Sequence, residues 1–408
     1  MAIIPLIILL CLAAWRVNAE MNPMEFPLLF RELPVDLHVY LLGADDALGG
    51  LPLYDGDLLP GLPFTYPPFA VGGFMLLRQL SDSHAAMAWQ SFMFACLLAV
   101  VLMVFHERKR KLGVLTILAA VAVALASFAL TPVRSSFFFG QINMLLMFLV
   151  FVDVLYLRKL GGIGVGLAAG LKLTPAFTGL IFLLERRWVA ALVSIATFGA
   201  TVVAGFFFVP DAARFWTEAM FDSTRVGVHE NPGAQSLHSV LVRAGYESST
   251  LWLVVAVVVT LLVAWAAWAA LKGGNRSMAA AIVGVGSCLV SPFSWHHHWV
   301  WMVPLLLSLA LTIGNYIRAW KPSSFALRQV ADLVGLAVAL ACAVPYLHFI
   351  VWPEVSQALA WQQYGTFGLW LYVGAAVVFI AVYAAIASGV LWYRRRRGVA
   401  GAGLQATS

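Results

Sequence analysis

Long apolar runs separated by short basic clusters constrain this chain more than any single motif does. Beginning with 1–15 and continuing near 84–105, 113–131, 138–157, 189–208, 250–271, 278–292, 298–313, 326–346 and 367–392, it offers about ten segments approaching the ~20 residues a helix needs to cross ~30 Å of hydrocarbon. None alternates with the period of two that a membrane barrel requires. Of 408 residues, 62% are hydrophobic and only 11% charged, with a mean hydropathy of +0.89, more apolar surface than a water-soluble domain can solvate. The expectation is an all-α polytopic membrane protein. Cys11, Cys96, Cys288 and Cys342 fall in or beside apolar runs without paired spacing, so they read as small hydrophobes, neither a disulfide framework nor a metal site.

Charge then orients the chain. A net charge of +6 would suggest nucleic acid in a soluble protein, but here the basic residues gather at segment ends, which is a topology signal. The clusters are His106-Glu-Arg-Lys-Arg-Lys111, Arg158-Lys159, Arg186-Arg187, Lys272 with Arg276, Arg318 with Lys321 and Arg328, and Arg394-Arg-Arg-Arg397. Putting all of them in the cytoplasm requires two segments not to cross as single helices. Residues 66–80 are expected as a juxtamembrane helix on the outer surface, and 162–184 as a re-entrant pair broken around Lys172-Leu-Thr-Pro175, a stretch rich in glycine. Residues 1–397 then form a single transmembrane domain with a cytoplasmic C-terminus, and 398–408 a disordered Gly/Ala-rich tail. The first run is short, and Val17-Asn18-Ala19 resembles a signal-peptidase site, but no basic n-region precedes it, which favours a retained helix. No internal repeat supports an inverted-repeat transporter.

What this arrangement leaves outside is chemically different. Residues 16–66 carry Glu20, Glu25, Glu32, Asp36, Asp45, Asp46, Asp55 and Asp57 against two arginines, and further exterior segments are 132–137, 210–249, 293–297 and 347–366. Transfer of a sugar from a sugar phosphate needs a carboxylate to take the acceptor's proton and cationic or hydrogen-bonding groups to hold the departing phosphate. Asp36 is the candidate base: Pro34 stiffens its approach, and Leu37, Val39 and Tyr40 alternate with polar residues as if one side packs on the membrane body. The competing reading is a solvated loop aspartate. Phe64, Tyr66 and Phe69 in the proline-stiffened Leu62–Phe69 segment could bind a sugar face or a prenyl chain, or anchor the interface. Gln141 and Asn143 can bond sugar hydroxyls without charge burial, or tie two helices together.

Lys172 is the sharpest intramembrane signal. A lysine in an apolar, glycine-rich stretch is costly unless it faces a cavity or an anion, and a lipid phosphate is the expected anion; the alternative is a lysine snorkelling to the cytoplasmic side. Ser291-Pro-Phe-Ser-Trp-His-His-His-Trp299 sits at an outer helix junction. His296, His297 and His298 cannot all face one point of a helix, which argues against a three-histidine metal site and for one or two directed inward to a phosphate or sugar hydroxyl. With Trp295 and Trp299 they could equally form a structural interfacial cluster. His229, Glu230, Asn231, Gln235 and Ser236 make a weaker exterior polar patch.

Six blocks in order, Asp36-x-x-x-Tyr40, Gly50-Leu-Pro-Leu-Tyr54, Phe64-Thr-Tyr-Pro-Pro68, Phe139-Gly-Gln-Ile-Asn143, Leu171-Lys-Leu-Thr-Pro175 and Ser291–Trp299, resemble glycosyltransferase family 87 over about residues 35–305. The resemblance implies a C-type glycosyltransferase fold of about ten to twelve transmembrane or re-entrant helices with a catalytic first exterior loop. It implies a polyprenyl-phosphate-mannose donor and an inverting transfer of mannose to an acceptor glycolipid on the outer face. The family's base falls on Asp36 and its late histidine within His296–His298, with His297 or His298 favoured. Donor-phosphate binding by Lys172 is an expectation from its own setting. Tyr40, Tyr66, Gln141, Asn143 and Trp295 are expected to contact substrate. No cofactor and no metal are expected. The acceptor is expected to be a lipomannan or lipoarabinomannan mannoside, joined by an α-1,2 linkage, with phosphatidylinositol mannosides close behind. A transferase using another polyprenyl-phosphate sugar, such as arabinofuranose, would be separated by donor competition. A lipid-carrier flippase would move lipid without forming glycosidic bonds, and it leaves Asp36 unexplained.

Overall fold

The computed structural model of the protein describes residues 33–157, 161–320, 325–347 and 365–396. The expected helix at 1–15, the site at 17–19, the start of the exterior loop, nearly all of 347–366 and the tail 398–408 lie outside the described residues.

The described chain opens on α1 (Val35–Leu48), a hairpin of β1 (Asp57–Leu59) and β2 (Leu62–Pro63) paired antiparallel, and α2 (Phe69–Leu77). There follow α3 (Asp82–Glu107), α4 (Val114–Ala126), α5 (Thr131–Phe139), α6 (Asn143–Leu155), α7 (Ile163–Leu171), α8 (Leu180–Leu184) and α9 (Trp188–Phe208). The remaining helices are α10 (Ala212–Thr217), α11 (Leu237–Arg243), α12 (Ser249–Lys272), α13 (Arg276–Val290), α14 (Met302–Trp320), α15 (Phe325–Ala343) and α16 (Gly365–Arg396). Among the described residues, five helices are long and apolar enough to cross a membrane, and a sixth span results if α5 and α6, bent by 117°, are taken together. The molecule is an all-α membrane protein. Its outer face agrees, since Leu192, Ile195, Val203 and Phe206 on α9 and Val254, Val257, Val258 and Leu261 on α12 are all exposed, a belt that lipid rather than water would cover.

Local chemistry explains three of the less regular features. Asp36 lies not in an irregular loop but on α1, whose buried residues Leu37, Tyr40, Leu41, Ala44 and Ala47 follow the three- and four-residue spacing of a helix rather than the alternation read from the sequence. Residues 132–137, expected as an exterior connection, form most of α5; Pro132 starts it and Gly140, at φ 75°, ends it and turns the chain into α6. The glycines of 161–170 do not break the helix. They make α7 thin enough to approach its neighbours, because a Cβ on Gly170 would lie 2.1 Å from Thr201 Oγ1 on α9, and one on Gly164 2.3 Å from the Leu149 carbonyl on α6. The break comes at Lys172, whose extended backbone (φ −156°, ψ 133°) separates α7 from the 3-10 turn Thr174–Gly179 leading into α8.

The bundle has two chemically distinct ends. At one, Glu107 accepts from the Arg276 N–H and the Ser277 hydroxyl, Arg276 reaches Glu185 at 2.6 Å, and Asp332 bridges Arg110 and Arg318 at 2.9 and 2.6 Å. Arg110, Arg276 and Arg318 belong to three of the basic connections singled out in the sequence; Arg158, Lys159, Lys321 and Arg397 lie outside the described residues. Since α13 begins in that cluster at Arg276 and its C-terminal residue, Val290, lines a large cavity, the cavity lies at the opposite end, roughly 20 Å away at 1.5 Å of rise per residue.

Candidate functional site

Five elements meet around this cavity of about 1220 Å³: α1, the segment from β2 to the start of α2, the α5–α6 bend, the break after α7, and the Ser291–His298 segment before α14. A rim loop at 219–233 closes part of its mouth. Gly140 permits one of these meetings, because a side chain there would come within 2.8 Å of Pro34 and 2.9 Å of Leu37, at a φ of 75° that glycine adopts without strain. The bend therefore seats directly against the first turn of α1. That seating puts Gln141 beside Asp36, 105 residues away in sequence, and the Gln141 Nε2 donates a short hydrogen bond to Asp36 Oδ2.

The polar groups form a directed chain. A carboxylate only accepts, so the Gln141 amide is fixed with Nε2 toward Asp36 and Oε1 toward Tyr66, whose hydroxyl donates to it at 2.9 Å. The Tyr66 proton being committed there, Tyr40 donates its own to the Tyr66 oxygen at 2.7 Å, and Lys172 Nζ approaches the same oxygen at 3.4 Å. Lys172 also faces Asn143 Oδ1 at 3.4 Å and His298 Nε2 at 2.8 Å. The Trp295 N–H donates to His298 Nδ1 at 3.2 Å, which leaves the ring proton on Nε2. An N–H of His298 and the Lys172 amine thus point at one another, an arrangement that an anion beside both would relieve. Burial pushes the Asp36 carboxyl up to about 6, against the opposing pull of the Gln141 bond and the Lys172 charge. Such a group is ionised at neutral pH yet basic enough to take a proton in a transition state.

The three histidines fan outward from a 3-10 turn, His296–Trp301, with ring centroids 5.3 and 4.9 Å apart at steep angles, so they do not converge on one point. Each lines the cavity, but only His298 reaches Lys172. His297 is buried between the rings of Phe139 and Trp295, and both of its ring nitrogens lack a hydrogen-bond partner among the described residues. A buried imidazole in that condition is satisfied only by something entering the cavity. His296 is held from outside by its N–H to the Gly233 carbonyl at 2.8 Å. The polar patch at 229–236 is continuous with this segment, since Ala234 bridges Trp295, the Gln235 N–H donates to Ser294 O, and Trp299 Nε1 donates to Gln235 O.

Of the residues expected to act, Asp36, Tyr40, Tyr66, Gln141, Lys172, Trp295, His296, His297 and His298 all line the cavity. Asn143 stands behind it, donating to the His297 carbonyl at 2.8 Å and bracing Lys172. Asp45 and Asp46 are outside it, Asp45 being paired with Arg78 at 2.8 Å. Sequence reasoning missed three contributors. Asp211 accepts both the Leu53 and the Tyr54 N–H at 2.8 Å, and the Tyr54 hydroxyl donates to Tyr66 O at 2.7 Å, so the segment carrying Tyr66 is clamped from the far side. No local pattern announces that pairing. Arg134 and Arg225 also line the cavity. Their signal was available, as both are arginines in exterior segments, apart from the basic clusters that mark the other face.

The profile of "Glycosyltransferase family 87" matches residues 64–292. A polyprenol-phosphate-mannose-dependent alpha-(1-2)-phosphatidylinositol pentamannoside mannosyltransferase of Mycolicibacterium smegmatis is 39% identical over 326 residues, 74% of this chain and 77% of that protein. Polyprenol-phosphate-mannose-dependent alpha-(1-2)-phosphatidylinositol mannoside mannosyltransferases of Mycobacterium tuberculosis and M. smegmatis are 33% and 34% identical, covering 74% and 70% of this chain and 75% and 72% of their own lengths. No solved structure matches.

Proposed function

Because this chain belongs to glycosyltransferase family 87 and so is a glycosyltransferase, we propose that it transfers mannose from polyprenyl-phosphate-mannose to a phosphatidylinositol-mannoside acceptor, forming an α-1,2 linkage. The names of the relatives favour that acceptor class over the lipomannan or lipoarabinomannan mannosides expected from sequence, which offer a similar terminal mannose. The reaction takes place at the extracytoplasmic face of the cell membrane, with the C-terminus in the cytoplasm. The grouping of the basic connections at the end opposite the cavity supports this orientation. Five long spans, a bent pair and four shorter apolar helices support a C-type fold of ten to twelve transmembrane or re-entrant helices, with the stretch from α7 to α8 as the re-entrant pair.

The observation that carries the mechanism is a carboxylate and a lysine–histidine pair facing one cavity, joined through Gln141 and Tyr66. Asp36 takes the proton of an acceptor mannose hydroxyl as that oxygen attacks C1 of the donor mannose. The bond between C1 and the phosphate oxygen breaks with its electron pair passing to that oxygen, and polyprenyl phosphate leaves with the added negative charge. Attack opposite the leaving group turns a β-linked donor into an α-linked product, so one carboxylate suffices. Lys172 and His298 stabilise the charge that grows on the phosphate, and this supplies the electrostatic part of catalysis. His297, whose ring nitrogens have no hydrogen-bond partner among the described residues, serves a sugar hydroxyl. Asp36→Asn keeps the shape and removes the basic lone pair. Membranes containing that variant and supplied with polyprenyl-phosphate-mannose are expected to lose at least about 100-fold in transfer, the lower bound of a general base's contribution. Wild-type rates in Asp36→Asn would remove the base assignment.

A further inference from the structure

Besides Lys172, two arginines line the cavity, Arg134 and Arg225, and for Arg225 no ion pair is found among the described residues. Arg225 ends the short 3-10 turn Ser223–Arg225 in the rim loop and lines the cavity. Its Nε and Nη2 are shielded from solvent, and neither has a hydrogen-bond partner among the described residues. The obvious carboxylate on the same turn is already committed: Asp222 accepts from the Thr224 N–H at 3.0 Å and from the Thr224 hydroxyl, capping the turn, and it makes no ion pair with Arg225. Other exterior arginines find carboxylates, Arg78 with Asp45 and Asp82 and Arg214 with Asp55 and Glu218. Arg225 lines the cavity, yet makes no ion pair with an acid among the described residues.

Removing guanidinium N–H groups from water without returning a hydrogen bond costs stability, more for a charged donor than for a neutral one. An anion in the cavity recovers that cost, and the planar fork of a guanidinium suits two oxygens of a phosphoryl group in particular. The surroundings of Arg225 tell its anion apart from the one at Lys172. The rim loop that carries Arg225 is fastened to the Ser291–His298 segment by Trp295 Nε1 donating to the adjoining Val226 carbonyl at 3.0 Å, and Gly227 packs flat against the Trp295 and Phe293 rings. Arg225 therefore belongs to the loop held by the Trp295 indole, whereas Lys172 is held by His298, three residues further along the chain. A donor whose phosphate is held at Lys172 has no second phosphate to offer.

We propose that Arg225 forms an anion subsite for the phosphodiester of the acceptor's own headgroup, so that the cavity selects a mannoside carried on an anionic phospholipid over a neutral mannoside. This rests on the transferase reading above and adds to it a reason for acceptor choice. The test uses the full chain in phosphatidylcholine nanodiscs with polyprenyl-phosphate-mannose as donor and two acceptors: a phosphatidylinositol mannoside and a neutral alkyl mannoside with the same terminal sugars. The quantity read is the ratio of kcat/KM for the anionic acceptor to that for the neutral one. Arg225→Gln is expected to lower this ratio roughly ten- to hundredfold, the loss of one or two charge-assisted bonds, and Arg225→Lys to lower it less. The ratio is internal to each preparation, so partial misfolding of a variant does not alter it. A wild-type ratio in Arg225→Gln overturns the proposal. So does a rise in the donor KM with the ratio unmoved, which would give the guanidinium to the donor. A third arm adds phosphatidylglycerol to the nanodiscs with the neutral acceptor alone. Arginine-dependent stimulation there would assign the subsite to bulk anionic lipid and overturn the acceptor assignment. Absence of transfer to either acceptor by the wild-type chain would instead refute the transferase reading.

Discussion

Replacing Gln141 with leucine removes one hydrogen bond to the Asp36 carboxylate and leaves the base itself in place, so the effect should appear as a displaced pH profile. The bond is charge-assisted and worth about 1.5–3 kcal/mol to the ionised form. Each unit of pKa corresponds to about 1.36 kcal/mol, so losing the bond raises the Asp36 pKa by about one to two units. From the value of about 6 set by burial, Gln141 and Lys172, this carries the carboxyl to between about 7 and 8. The sign is fixed by which form works. Transfer needs ionised Asp36, so activity is present above its pKa and is lost as pH falls through it. A raised pKa therefore moves the acid limb of kcat/KM upward, from near pH 6 to near neutrality. The measurement is initial mannosyl transfer by purified protein in nanodiscs between pH 5 and 9, with donor and acceptor well below saturation. At pH 9 the variant should recover most of the wild-type rate, which a merely damaged protein would not do. An acid limb that stays where wild type has it, with the rate lowered equally at every pH, would refute the account of Gln141 as the residue that tunes the base.

Two further outcomes follow from the same geometry. Lys172→Gln keeps length and polarity but loses the charge facing His298, so the donor KM should rise about tenfold or more while acceptor KM changes little; a donor KM within about twofold of wild type would withdraw the phosphate role. Gly140→Ala forces a side chain into a left-handed conformation, at about 1–2 kcal/mol, and into Pro34 and Leu37, at about 1–3 kcal/mol more. Thermal unfolding of solubilised protein should show a lowered midpoint, and an unchanged one would mean that α1 is not seated by this contact.

How far the sequence disclosed all this depends on the physics of each element. The spans α3, α9 and α12 fall within about two residues of expectation because lipid imposes long apolar runs and charges end them. Lys172 is visible as a charge in an apolar stretch where charges are costly, Asp36 as a carboxylate of the first exterior segment, and His298 as one of three histidines at an outer helix junction. Their partnership was not visible, since Gln141 and Asp36 are 105 residues apart and Lys172 and His298 are 126 apart, and no local pattern records a pairing made by bundle packing. The α5–α6 bend is not legible because the apolar run from Phe137 to Phe139 resumes after Gln141, so the expected helix 138–157 runs through Gly140, where the backbone turns sharply. The glycines near Lys172 suggest a broken helix in the sequence, but in the structure they thin α7 for close packing. The Asp211 clamp joins a side chain to backbone amides, and backbone amides carry no sequence signal at all.

The Tyr66 hydroxyl has one proton and two lone pairs, and all three are in use: the proton toward Gln141, the lone pairs toward Tyr40 and Lys172. An engineer who wished to give this enzyme a different donor would begin at Lys172, and would at once change how firmly Tyr66 holds the glutamine that holds the base. Donor choice and acceptor activation cannot be redesigned one at a time here. A successful re-engineered variant would need compensating changes on both sides of a single phenol oxygen.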